Sequence, residues 1–150
     1  MEFAYPYEID TENGTRIVSF PDVPGALTQV DHGDDFNALV SDCLLAALGG
    51  YAALRQRPPR PSPARGRPVV ALDVLMAAKL ALLSAMIDAG ISNVELARDL
   101  GVSEKAVRRL LDPDHHSRID GIEAALACLG QRLELAVRPT RGDRQLRAQA

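Results

Sequence analysis

The chain has 150 residues, 47% hydrophobic and 25% charged, enough apolar material for one compact soluble domain or two small ones, and not the composition of a disordered chain. The formal net charge of -3 conceals an acidic front and a basic back. Residues 1–54 hold nine Asp and Glu against one basic residue, Arg16, for -8, and residues 55–150 hold sixteen basic against eleven acidic residues, for +5. An acidic front suits a basic protein partner, because complementary fields speed encounter and reject wrong partners. The chain does not open on a signal peptide's basic, apolar, small-residue pattern. Its most apolar stretch, Val69 to Gly90, is broken by Asp73, Lys79 and Asp88 and predicts a core helix rather than a membrane span. A cytoplasmic location is expected.

Along the front half, Glu2 to Ile9 alternate, with Phe3, Tyr5, Tyr7 and Ile9 on one face, and predict a strand whose Pro6 belongs at an edge or points outward. Asn13-Gly14 supplies the positive-φ pair of a hairpin, Thr15 to Phe20 is the return strand, and Ala26 to Val30 a third. Between them Phe20-Pro21-Asp22-Val23-Pro24-Gly25 reads as a stiff loop presenting Asp22. From Asp34 or Asp35 the period becomes helical, with Phe36, Leu39, Val40, Cys43, Leu44, Ala47, Leu48, Tyr51 and Leu54 in one stripe and Gly49-Gly50 weakening its last turns. Three antiparallel strands under one helix make a small core.

Residues 55–68, RQRPPRPSPARGRP, cannot sustain a helix. They read as an extended linker that separates a domain of residues 1–54 from one of residues 69–138 by up to tens of ångströms, at about 3.1 Å per residue, with a short strand near Pro61 to Pro63 returning to the sheet as the alternative. A fragment of residues 1–60 should then act alone. Leu72 to Ala89 predicts a helix closed by Gly90, with Lys79 roughly in line with its apolar stripe.

The most specific signal is Asn93 to Asp112, NVELARDLGVSEKAVRRLLD. Ala97 is small where two helices must approach, Gly101 stands at the turn, and Val107 and Leu110 fall on the inner face of the second helix. Ser92 and Glu95 form an S-x-x-E capping box, and Ser103 caps the helix opening at Glu104. That is the pattern of a DNA-binding helix-turn-helix. Ser103, Glu104, Lys105, Arg108 and Arg109 are its outward candidates, Ser103 toward phosphate and Lys105 and Arg108 toward base edges. A plain charged α-hairpin is the competing reading. Ile119 to Leu129 predicts a last helix closed by Gly130, and Leu133, Leu135 and Val137 a strand suited to pairing with its twin across a dimer axis. Residues 139–150 are expected to be a charged, disordered tail.

Cys43 and Cys128 lie far apart and read as small core residues in a reducing compartment. Adjacent His115 and His116 cannot clasp one ion by themselves. No metal, cofactor or catalytic residue is assigned.

The loop from Phe20 to Gly25 with Leu27-Thr28-Gln29 resembles HicB-type antitoxins of bacterial toxin–antitoxin pairs. Ala78-Lys79-Leu80, Glu95 to Arg98, Arg109 to Leu111, His115-His116-Ser117 and Ile119-Asp120 resemble the helix-turn-helix branch of that family. The resemblance implies an α+β protein: a partial RNase-H-like domain of three strands and a helix that masks a HicA-type mRNA-cleaving toxin, joined to an all-α helix-turn-helix domain that represses the operon as a homodimer or higher oligomer. It places toxin contacts at Phe20, Asp22, Pro24, Thr28 and Gln29, and operator contacts at Lys105, Arg108 and Arg109. Val30 to Gly33 and Gly49-Gly50 depart from the family pattern. Nuclease activity would need carboxylates converging around two metals, and Asp10, Asp22, Asp31, Asp34, Asp35 and Asp42 give no sign of converging. The alternative function is a stand-alone regulator with a ligand-sensing front domain, although nothing in residues 1–54 suggests a cavity.

Overall fold

A computed structural model of the chain describes residues 2–137. Its elements in order are β1 (Ala4–Pro6), β2 (Glu8–Glu12), β3 (Thr15–Ser19), β4 (Leu27–Val30), α1 (Phe36–Ala53), β5 (Val69–Ala71), α2 (Val74–Ala89), α3 (Asn93–Leu100), α4 (Glu104–Leu111) and α5 (Ile119–Cys128). The fold is mixed α and β.

A three-stranded antiparallel sheet runs β2-β3-β4, joined by the Asn13-Gly14 turn, where both residues have positive φ and Glu12 faces Thr15. The expected single strand from Glu2 to Ile9 is two strands. β1 pairs antiparallel with β5, and at the break the Tyr7 amide donates to the Pro68 carbonyl at 3.0 Å. Pro6, expected at a sheet edge or pointing outward, lies on an edge strand of the two-stranded β1-β5 sheet, where it is buried opposite Val69. Ile9 shares the face of Val18 but is 47% exposed, because the covering layer stops short of β2.

The register separates two faces, since residues directly opposite in a ladder share one. On the inner face Val18 and Val30 pack beneath Val40, Leu44 and Leu48 of α1, and the Arg16 guanidinium sits 4.6 Å over the Phe36 ring. On the outer face stand Glu8, Asp10 and Glu12 of β2 beside Ile17, Leu27 and Gln29. α1 starts at the Asp35 N-cap, whose carboxylate accepts from the Ala38 amide, and runs unbroken through Gly49-Gly50 to Ala53. α1 is long and apolar enough to cross a membrane by length and composition, but it lies on the sheet with three side chains buried.

Residues 55–68 do not span open solvent. Tyr5 Oη donates to the Pro59 carbonyl at 2.8 Å, the Asp22 carboxylate accepts from the Ser62 amide at 2.8 Å and hydroxyl at 2.9 Å, and Arg57 forms a bidentate pair with Asp88. The segment then returns as β5, so the separation of two bodies by a stiff spacer is corrected to a strap across the first core. The reason is polar satisfaction: a buried phenol and a half-buried carboxylate need partners, and the strap supplies both.

α2 serves two cores. Its Met76 and Leu80 join the first with Tyr5, Phe20, Val23 and α1, and its Ala78, Leu82 and Met86 join the second with Leu96, Ala97, Val107, Ile122, Ala125 and Leu126. Gly90 closes it in the left-handed conformation. Gly121 of α5 brings that helix close to α4, and a Cβ there would lie 3.2 Å from Leu110. Cys128, expected in a core, is exposed, and Cys43 is half-buried. Residues 131–137 form no ladder within the described chain, with Leu135 71% and Val137 93% exposed. The expected tail, 139–150, lies outside the described residues.

Candidate functional site

α3 and α4 are two eight-residue helices joined by Gly101-Val102-Ser103. The capping box is complete: Glu95 N donates to Ser92 Oγ at 3.3 Å, and Ser92 N and Oγ donate to Glu95 Oε2 at 2.8 and 2.7 Å. Those bonds hold the Glu95 carboxyl below its ordinary pKa. Gly101 has φ +67° and its amide donates to the Ala97 carbonyl, which turns the chain toward the second helix. Ser103 Oγ then accepts from the Ala106 amide at 3.2 Å.

Val107 is fully buried against α2 and α3, and Leu110 is half-buried. That packing turns Lys105, Arg108 and Arg109 to solvent, and all three are exposed. Arg108 is braced by Glu104, whose Oε1 accepts from Nε at 3.0 Å and Nη2 at 2.7 Å. Glu104 is thereby placed as the partner of Arg108 more than as an independent contact. Exposed i,i+4 pairs contribute only about 0.3–0.5 kcal/mol, so the pair orients the guanidinium without locking it. The N-terminal amides of α4 and its three cations share one surface, suited to a polyanion.

Sequence reasoning missed the back of this surface. Lys79 of α2, in line with apolar neighbours, is buried and donates to the carbonyls of Asp112 and His115, while buried Ser117 donates to the Arg109 carbonyl at 2.7 Å. Desolvation lowers the Lys79 pKa, opposed by Asp112, Asp73 and Asp114. The signal available was a lysine standing inside an apolar stripe.

The five front-half candidates separate. Phe20 is 2% exposed and packs 5.8 Å from the Tyr7 ring, so it shapes the loop from inside. Asp22 is half-buried and spent on Ser62. Thr28 is half-buried on the inner sheet face opposite Val18. Pro24 and Gln29 are exposed, and Gln29 donates to Asp31 at 3.1 Å on the outer face. Apart from these, a cleft of about 990 Å³ opens between α1 and the α4–α5 loop, lined by Asp42, Leu45, Gly49, Arg108, Leu111 and Pro113 among others. Among the described residues no group of three or more His, Cys, Asp or Glu is placed to hold a metal ion.

Comparison with known proteins places these features in a context. A family described as HicB_like antitoxin of bacterial toxin-antitoxin system matches residues 2–81. The chain is 37% identical over 131 residues to Antitoxin HicB 2 of Photorhabdus laumondii subsp. laumondii, covering 87% of this chain and 94% of that protein. It is 34% identical to Antitoxin HicB of Pseudomonas fluorescens, covering 90% and 94%. With Antitoxin HicB of Escherichia coli K12 it shares 32% over 83% and 91%.

Proposed function

This chain belongs to the HicB-like antitoxin family of bacterial toxin–antitoxin systems, and we propose that it neutralises a cognate HicA-type mRNA-cleaving toxin with its front half and represses its own operon with α3 and α4. The observation that carries the DNA-reading part is the disposition of α4: Val107 inward, Lys105, Arg108 and Arg109 outward, and the helix N-terminus on the same side. In this reading α3 and α4 form a helix-turn-helix, α4 lies in a major groove, and Ser103 meets a phosphate.

Toxin masking is assigned to the front half, read as a partial RNase-H-like unit. The uncovered sheet face, with Glu8, Asp10 and Glu12 beside exposed Leu27 and Gln29, supports contact with a basic active site, because acids meet its charge while Leu27 is desolvated. Of the loop candidates, Pro24 and Gln29 have the exposure for direct contact; Phe20, Asp22 and Thr28 act by holding the loop and sheet in shape. Inhibition by covering needs no catalytic residue, cofactor or metal in this chain. The exposed alternation of Leu135 and Val137 supports pairing of two copies through residues 133–137, which sets two reading helices about one turn of DNA apart. The protein acts in the cytoplasm, where operator and mRNA are.

The cleft beside α1 is where the second reading, a regulator that senses a small ligand, would place that ligand, and its character weighs against that reading. It is open to solvent and mixes Asp42, Asp73 and Asp112 with small residues rather than converging polar groups on an apolar pocket.

Two measurements test the assignment. Arg108→Ala with Arg109→Ala should abolish retardation of the operator in a gel shift and leave toxin neutralisation intact; retention of both activities removes α4 from the DNA. The chain should also co-purify with the product of its neighbouring gene, and a gene with no such neighbour favours the sensor.

A further inference from the structure

Among the described residues Lys79 is the one charged side chain that is buried, at 2% exposure. Burying an ammonium is costly unless it finds hydrogen-bond partners. Leu or Met would fill the same space without that cost, so what the lysine adds is its two bonds, to the carbonyls of Asp112 and His115. Asp112 is the C-cap of α4, and His115 lies in the loop leading to α5. The negative end of a helix dipole also favours a cation there.

The reason a second fastening matters lies in α4 itself. The helix has eight residues, and Val107 is its one buried side chain. Leu110 and Leu111 add partly buried contacts on the same side, but isolated helices of this length are unstable, so the angle of α4 depends on how it is fastened to its neighbours. Its N-terminal end is set by the turn and the Ser103 cap. At its C-terminal end the Asp112 carboxylate accepts from the Asp114 amide within the loop, and beside the partly buried Leu110 and Leu111 it is the Lys79 ammonium that bonds this end to α2, with Ser117 bonding the Arg109 carbonyl.

We propose that Lys79 is a positioning residue for DNA reading: its ammonium fastens the C-terminal end of α4 to α2 and so sets the angle at which Lys105, Arg108 and Arg109 meet a duplex. This rests on the operator-binding reading above. Because α2 also carries Met76 and Leu80 of the first core, the same helix ties the orientation of α4 to the front half.

The test uses the full chain and its Lys79→Met and Lys79→Arg variants, with amide exchange, operator retardation and toxin neutralisation read side by side. Lys79→Met is expected to neutralise toxin normally and melt cooperatively. Its Asp112, His115 and Ser117 amides should exchange at least about tenfold faster than in the parent chain, and its operator Kd should rise at least about tenfold. Lys79→Arg keeps charge and donors and should recover most of the affinity. Exchange and Kd in Lys79→Met within about twofold of the parent overturn the proposal. If the parent chain retards no operator, the DNA reading falls and the exchange rates alone judge the fastening. Should Lys79→Met fail to fold, the Lys79 ammonium protons of the parent chain decide: slow exchange upholds the bonds, and exchange at the rate of a solvated lysine overturns them.

Discussion

Tyr5 is fully buried, and its hydroxyl donates to Pro59, which ties β1 to the proline-rich strap. Burial first, then the charges of Asp22 and Tyr51, push its pKa from 10 to about 12. The neutral phenol is the form that folding favours. Its contribution is therefore complete below pH 10, the unfolded value, and is lost as pH rises through about 12. Denaturant titrations across that window should show stability falling in the parent chain and a flatter profile in Tyr5→Phe, which also loses about 1 kcal/mol of hydrogen bonding at neutral pH. An equal slope in both would place the titrating group elsewhere. Surface pairs such as Arg118–Asp120 are exposed on both sides and contribute little by comparison.

At the scale of elements, helix starts and turns are decided within four residues, and that is why α3 and α4 stand where Ser92, Glu95, Gly101 and Ser103 put them. Gly101→Ala forces a Cβ into the left-handed region at φ +67° with no nearby atom to clash, so the loss is purely conformational, about 1–2 kcal/mol. A thermal melt lowered by several degrees is expected; an unchanged melt would mean that the turn relaxes. Leu96, fully buried in the second core, is the packing counterpart: Leu96→Ala should lose about 2–5 kcal/mol, read by chemical denaturation. Strand β1 shows the reverse case. Alternation from Phe3 to Ile9 suggested one strand, yet the partner changes at Tyr7 from β5 to β3, and no local residue announces a change of partner.

For the whole molecule, α2 is the shared wall of both cores, and β5 completes the β1 ladder. A fragment ending at residue 60 lacks β5, Met76 and Leu80, leaving Tyr5 and Leu48 without part of their cover. The expectation that residues 1–60 act alone is revised accordingly: such a fragment should lose cooperative unfolding and toxin protection, while one reaching Gly90 should retain a defined first core. Circular dichroism melts of the two fragments check this, and a cooperative melt from the shorter one would show that β1 to α1 suffices.

What the sequence determined alone was whatever closes on itself within a few residues: the Asn13-Gly14 turn, the Ser92–Glu95 box, the Gly90 and Gly101 ends, the α1 stripe as far as Tyr51, with Leu54 left exposed, and the outward set Lys105, Arg108 and Arg109. Those features are local hydrogen bonds and periodicities, and each can be satisfied wherever the rest of the chain goes. Tertiary structure alone decided that Asp22 bonds Ser62, that Tyr5 reaches Pro59, that Phe20 turns inward and that Lys79 grips the end of α4. These join residues 33 to 54 positions apart. A polar group entering a core takes whatever partner packing brings to it, and a list of residues does not say which segments will be packed together.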